Sequence, residues 1–258
     1  QGTSSVAVGA GAGQNVQGGY SVAIGFSSGE NGQGNYAVAI GPFSGFSGQG
    51  TNGVAIGNRA GASSQGTEAV AIGATAGYTN QGNYSVAIGR EAGRSGQSQA
   101  SVAIGPWAGW SSQGYESVAV GVGSGSVGQG DDAVAIGSYA GQTLQGKGSI
   151  AIGDRTGLQN QGYFAVAIGR EAGFTSQGQY SVAIGASSAI TGQGVNAIAI
   201  GTLSGVQNTT VTNATAPVAN ASSQLTQQNS SIILNATGVG LNTDGGTAVG
   251  RPMEVLQG

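Results

Sequence analysis

Bulky aliphatic residues recur along this chain in a fixed pattern. Pairs of Val or Ile flank a single Ala and are followed by Gly, beginning at Val6, Val22, Val38, Val54, Val70, Val86, Val102, Val118, Val134, Ile150, Val166, Val182 and Ile198. Each start lies sixteen residues after the last, without insertion or deletion over thirteen copies. Within one unit, such as Ser21-Val22-Ala23-Ile24, large and small residues alternate with period two, the signature of a strand. Val22 and Ile24 then share one face, and Ser21 and Ala23 the other. Large β-branched residues on a common face predict the core, here Val22, Ile24, Val38, Ile40, Val86, Ile88, Val166 and Ile168. The tiny residue on the opposite face, from Ala7 to Ala199, predicts a close neighbour outside the roll.

The rest of the unit reads as corners and a second, weaker strand. Glycine ends the first strand (Gly25, Gly41, Gly57), where its tolerance of positive φ permits a sharp bend. A small residue and a further glycine follow (Ser28-Gly29, Ser44-Gly45, Ala60-Gly61), and a Gln-Gly pair makes the return, broken only at Gln97-Ser98. No helical period occurs in the unit. A fixed repeat of this length predicts a solenoid whose coils stack in parallel, with identical residues above one another. The fold class expected is therefore all-β, a parallel β-solenoid of thirteen 16-residue coils over residues 1–205. The glutamines Gln17, Gln33, Gln49, Gln65, Gln81, Gln113, Gln129, Gln145, Gln161, Gln177 and Gln193 are expected to form a vertical amide ladder of the kind found in cross-β stacks.

Composition narrows the function. Of 258 residues, 53 are Gly and only 7% are charged, with a net charge of -3. That leaves no basic patch for nucleic acid or anionic membrane. A Gly-rich, weakly charged chain also suits disorder or silk, but neither needs Val and Ile held in phase through thirteen copies. Cys and His are absent, which removes disulfides, thiolates, imidazole acid–base chemistry and the commonest zinc ligands. No apolar stretch reaches the roughly 20 residues of a membrane span. The chain starts at Gln1-Gly2, which suggests a portion of a longer protein.

Nothing in the sequence assembles a catalytic site. The acidic residues are scattered. Glu91 and Glu171 share a repeat position but lie five coils apart, about 24 Å at the usual strand spacing, too far to act on one bond. Arg90 and Arg170 beside them read as solvated local partners. Asp131-Asp132 is an isolated acidic pair, a weak calcium candidate. No enzyme activity, cofactor or metal is expected.

What varies along the monotonous frame is the residue after the second glycine. Large side chains there, Phe46, Tyr78, Trp110 and Phe174, with Trp107 close by, form a candidate recognition surface; inter-chain packing or corner filling is the competing reading. A second aromatic row, Tyr20, Tyr36, Tyr84, Phe164 and Tyr180, suggests packing.

The frame is lost after Gly205. Residues 206–258 are rich in Asn, Thr, Ser, Gln and Ala, with one dense apolar run, Ile232-Ile233-Leu234. They read as a β-rich C-terminal neck or the start of a further fibre domain. Asn-x-Ser/Thr sequons at Asn83, Asn208, Asn213, Asn220, Asn229 and Asn235 follow from the composition alone.

Ser-Val-Ala-Ile-Gly-x-x-Ala-Gly, as in Ser85–Gly93 and Ser101–Gly109, resembles the head repeat of trimeric autotransporter adhesins of the YadA type. Similar Val-Ala-Ile-Gly repeats occur in phage and viral fibres. The likeness covers about residues 5–205, although the adhesin repeat is about fourteen residues long. It implies a left-handed β-roll with three chains per head and Val and Ile pointing into each roll. The stretch Asn229–Gly238 resembles segments ahead of the maturation domain in viral and phage tail fibres. Together with the small-residue face, the resemblance leads to the expectation of a homotrimeric attachment fibre on a virion surface, most simply a viral or phage tail (receptor-binding) fibre. Its partners would be copies of itself and a host-surface glycan or receptor, with no nucleic acid and no membrane insertion. The alternatives are a bacterial adhesin head at the cell surface and a purely structural extracellular filament.

Overall fold

The computed structural model describes residues 1–205 and the strand Ile232–Leu234. Among the described residues every regular element is a strand, and all pairings are parallel. Each sixteen-residue coil contributes a three-residue strand at the Val-Ala-Ile position, such as Val22–Ile24, and most add a second ending at the glutamine, such as Asn31–Gln33. The first set stacks into one sheet in register, Val22 on Val38, Ala23 on Ala39 and Ile24 on Ile40, and so on to Ile198–Ile200. The second set makes an opposing sheet of eleven strands, extended to the twelfth coil by a bridge between Thr175 and Thr191. The strand Ile232–Leu234 adds a further rung on Ile198–Ile200. Thirteen coils at about 4.7–4.9 Å each give a rod of roughly 60 Å. The solenoid expected from the repeat is thus the fold; residues 206–258, apart from that one strand, lie outside the described residues.

The core faces the opposite way from the sequence expectation. Val22, Val38, Val86, Ile88 and Val166 are half-buried, while Ile24, Ile40 and Ile168 are exposed at 36–38%. The alanines between them, Ala23, Ala39, Ala87 and Ala167, are at 0%. Period-two alternation separates two faces without saying which is inner. The interior volume decides. Two three-residue strands joined by tight corners enclose a space so narrow that small side chains and one glutamine per coil fill it. The inner wall is accordingly Ala23, Ser28 and Ser21 or their equivalents.

The glutamines also act differently from the expected amide ladder. The side-chain amide of Gln33 donates inward across its own coil to the Val22 carbonyl at 2.8 Å and to the Ala37 carbonyl at 3.3 Å. The same bond from the glutamine to the Val or Ile carbonyl eleven residues earlier is made by Gln17, Gln49, Gln65, Gln81, Gln113, Gln129, Gln145, Gln161, Gln177 and Gln193, and by Gln97. Each glutamine therefore staples one coil shut, and the vertical ladder is carried by backbone, as in the Gly34 N–H to Gln49 carbonyl bond at 2.8 Å. The reason is geometric. With the glutamine side chain turned into the roll, its amide meets carbonyls across the narrow interior, and Ala37 accepts from it in addition to the Val22 N–H at 2.9 Å.

This staple also accounts for the second glycine. A Cβ on Gly109 would stand 2.5 Å from Gln113 Oε1, on a backbone already at φ +52°. The glutamine Oε1 atoms are buried without a hydrogen-bond donor. In eleven of the twelve coils the Oε1 faces the Cβ position of that glycine, a weak C–H···O contact; in the twelfth Ala189 stands there, and Gln193 still bonds the Val182 carbonyl at 2.8 Å.

Candidate recognition surface

The corner that leaves the aliphatic strand carries the variable residues. Its middle position is left-handed in coil after coil, at Ser27, Phe43, Arg59, Thr75, Glu91, Trp107, Tyr139 and Arg155. The exposure of this column varies with the residue: Ser27 is buried, Glu91 and Trp107 are half-buried, and Arg59 is exposed.

The structure brings together three of the five candidate recognition residues. Tyr78 lies on the coil before, and Trp107 and Trp110 on the coil after, a coil that carries two arginines. Arg90 lies over the Trp107 ring with its guanidinium carbon 4.2 Å from the centroid. Arg94 sits between Trp110 and Tyr78, at 5.5 and 5.9 Å. Glu91 completes the cluster, accepting the Trp110 indole N–H at 3.0 Å and pairing with Arg94 at 3.9 Å. Trp107, Trp110 and Tyr78 are half-buried, and Arg90 is exposed.

Phe46 belongs to a separate group. It packs against Phe43 at 5.8 Å, which packs edge-on against Phe26 at 5.2 Å, with Arg59 over the Phe43 ring at 5.7 Å. Phe174 stands several coils away from both groups, half-buried. The second aromatic row does pack, in part. Tyr20 stacks on Tyr36 and Phe164 on Tyr180, with ring centroids 5.3 and 5.6 Å apart.

Arg94 occupies the variable position after the second glycine, whereas reading along the sequence missed Arg90 and Glu91 as parts of this surface. The local pairs Arg90–Glu91 and Arg170–Glu171 do not form. Arg90 stacks on Trp107, and Glu171 reaches back one coil to Arg155 at 3.6 Å. The signal was present at a spacing of one coil, because residues sixteen or seventeen apart are vertical neighbours here.

Asp131 accepts the Tyr115 backbone N–H of the preceding coil at 2.9 Å and Asp132 pairs with Lys147 of the following coil at 3.6 Å, so the acidic pair is engaged in tying neighbouring coils together. Among the described residues no group of three metal-ligating side chains forms, and no helix is long and apolar enough to cross a membrane.

The other feature open to a partner is the outer face of the first sheet. Ile24, Ile40, Ile56, Ile104, Ile136, Ile152, Ile168 and Ile200 are each 36–40% exposed, with a half-buried Val or Ile column beside them. The result is an in-register aliphatic stripe two residues wide along the rod.

A family model described as the YadA head domain repeat matches this chain in two copies, at residues 49–76 and 112–140. Both matches lie inside the stacked coils, and the second begins just after the Trp107–Trp110 corner. No curated protein matches the chain.

Proposed function

We propose that this chain is the repeat-built segment of an extracellular attachment fibre, in which three copies associate along their aliphatic stripes and present variable corners to a surface. The observation that carries the reading is the unbroken Val/Ile stripe on a rod whose own core is alanine, serine and glutamine. Leaving that stripe in water forgoes about 1 kcal/mol for each half-exposed Val or Ile, and contiguous apolar surface of this kind marks an interface. The stripe is two side chains wide, about 7 Å along a strand, which suits three rods converging on an axis better than two broad faces meeting. The family match supports the same assembly.

The small inward alanine gives no support to association; the outward aliphatics replace it as the reason. Repetition then does the functional work. Three identical rods bring several weak contacts to bear at once, and their effective concentration raises apparent affinity without any strong single site. The variable corner residues Phe46, Tyr78, Trp107, Trp110 and Phe174 are the proposed contact positions.

The setting has two readings. The YadA-type match favours a bacterial adhesin head on a cell surface. The stretch Asn229–Gly238 favours a viral or phage tail fibre. Light scattering on the chain tests the common element: a homogeneous species of three times the chain mass of 24.8 kDa is expected. A monodisperse monomer would overturn the proposal, and end-to-end polymers in electron micrographs would favour a filament with no recognition role.

A further inference from the structure

We propose that the corner formed by Arg90, Trp107 and Trp110 binds an acidic sugar, a saccharide ring that carries a carboxylate. This deepens the attachment reading and rests on it. The two tryptophans of the chain sit on one coil, three residues apart. Each has a guanidinium from the preceding coil against its ring, Arg90 on Trp107 and Arg94 on Trp110. In the following coil the Trp107 column carries Gly123, which has no side chain to cover the indole. Tyr139, one coil further, leans over Gly123: a Cβ there would stand 2.8 Å from its ring. The indole thus has a cation against it on one side, and the Tyr139 ring takes up the space over Gly123 in the column beyond it.

The charges are arranged for an anion. Glu91 is engaged by Arg94 and by the Trp110 N–H, whereas Arg90 is exposed and joins none of the ion pairs among the described residues. A guanidinium held against an indole by its carbon still has N–H groups to offer, and a carboxylate accepts these in bidentate fashion. The apolar C–H face of a sugar ring then has the aromatic side chains to lie against, as amphipathic ligands do. An acidic peptide fits less well. The strands here are paired above and below within the stack, so an extended segment finds no free edge to join.

Arg170 provides an internal control, because it occupies the same repeat position five coils on, with Ser187 and no tryptophan in the coil that follows. The test is calorimetric titration of the full chain with sialyllactose and trigalacturonate, against lactose and maltotriose as neutral counterparts and a short poly-glutamate peptide as the alternative anion. The acidic sugars are expected to bind. Arg90→Gln and Trp107→Ala should each weaken that binding at least tenfold, Arg90→Lys less, and Arg170→Gln not at all. Binding that is equal for neutral and acidic sugars, binding of the peptide alone, binding unchanged in Arg90→Gln, or no binding to any probe would overturn the site. Light scattering on the same samples separates this from the fibre reading. A trimer that binds none of the probes ends the sugar site and leaves the fibre standing, whereas a monomer ends the fibre.

Discussion

At the scale of the residue, the fold depends on what stands at a few positions in each coil. The Gln-Gly return shows how little room there is. A Cβ on Gly82 would stand 2.5 Å from the backbone of the next coil, and Ser98 is the one non-glycine in that column. The bond from its N–H to the Gln113 carbonyl is 3.1 Å, against 2.7 Å for Gly82 to Gln97 one coil before. Overpacking of this kind costs about 1–3 kcal/mol, part of which is offset because glycine loses more backbone entropy on folding. Ser98→Gly is therefore expected to raise stability by about 1 kcal/mol, read as a higher urea midpoint. An unchanged or lower midpoint would mean that the coil spacing absorbs the side chain freely. The glutamine staple makes a sharper prediction. In Gln113→Glu a buried carboxylate would face the Val102 and Ser117 carbonyls in place of the amide donor. Burial and those carbonyls disfavour the charge, so the folded-state pKa rises above the unfolded value. The variant is then closest to wild type at pH below the usual carboxylate range and loses stability as pH rises through the raised pKa. At pH 8 the penalty should reach about 3–5 kcal/mol, as for an uncompensated buried charge. Urea midpoints at pH 4 and pH 8 check this, and a pH-independent loss would contradict the staple.

At the scale of the element, a coil touches only the coils before and after it, so register is set locally and repeated. Removing one whole unit, residues 118–133, places Val134 directly after Ser117 and restores every column. The shortened chain should fold with the same circular dichroism per residue, as nearest-neighbour stacking requires. Removing half a unit, residues 126–133, shifts each later column off its partner and should give a chain that fails to fold beyond the cut. Equal behaviour of the two deletions would contradict in-register stacking. This is also the scale at which the sequence was most legible. The sixteen-residue period reported coil length, strand position, corner glycines and coil count, because each rung repeats the same steric demands. It could not report which face was inner. Val22 and Ala23 alternate in either case, and the usual preference for large aliphatics inside assumes an interior wide enough to take them. Nor could one unit show that Gln33 turns inward, since the carbonyls it satisfies belong to the opposite wall of its own coil. Arg90 and Trp107 went unpaired in the linear reading for a related reason: they are neighbours only through the stack.

At the scale of the whole molecule, the roll has an interior too small to hold its own aliphatic residues, and it displays them as a stripe. The proposed self-association rests on that inversion, and so does the proposed separation of roles between a uniform face for other copies and variable corners for a partner. The three ion pairs among the described residues involve side chains from 24% to 54% exposed and add little, as surface pairs do. The absence of cysteine allows the inversion to be tested with single thiols placed at Ala103 and Ile104, adjacent residues on opposite faces. The measurement is mild oxidation of Ala103→Cys and Ile104→Cys, followed by maleimide labelling and a denaturing gel. Ile104→Cys is predicted to link chains covalently, while Ala103→Cys stays single and unlabelled until the protein is unfolded. A reactive or chain-linking Cys at 103, with Cys at 104 sealed inside its own chain, would contradict the account.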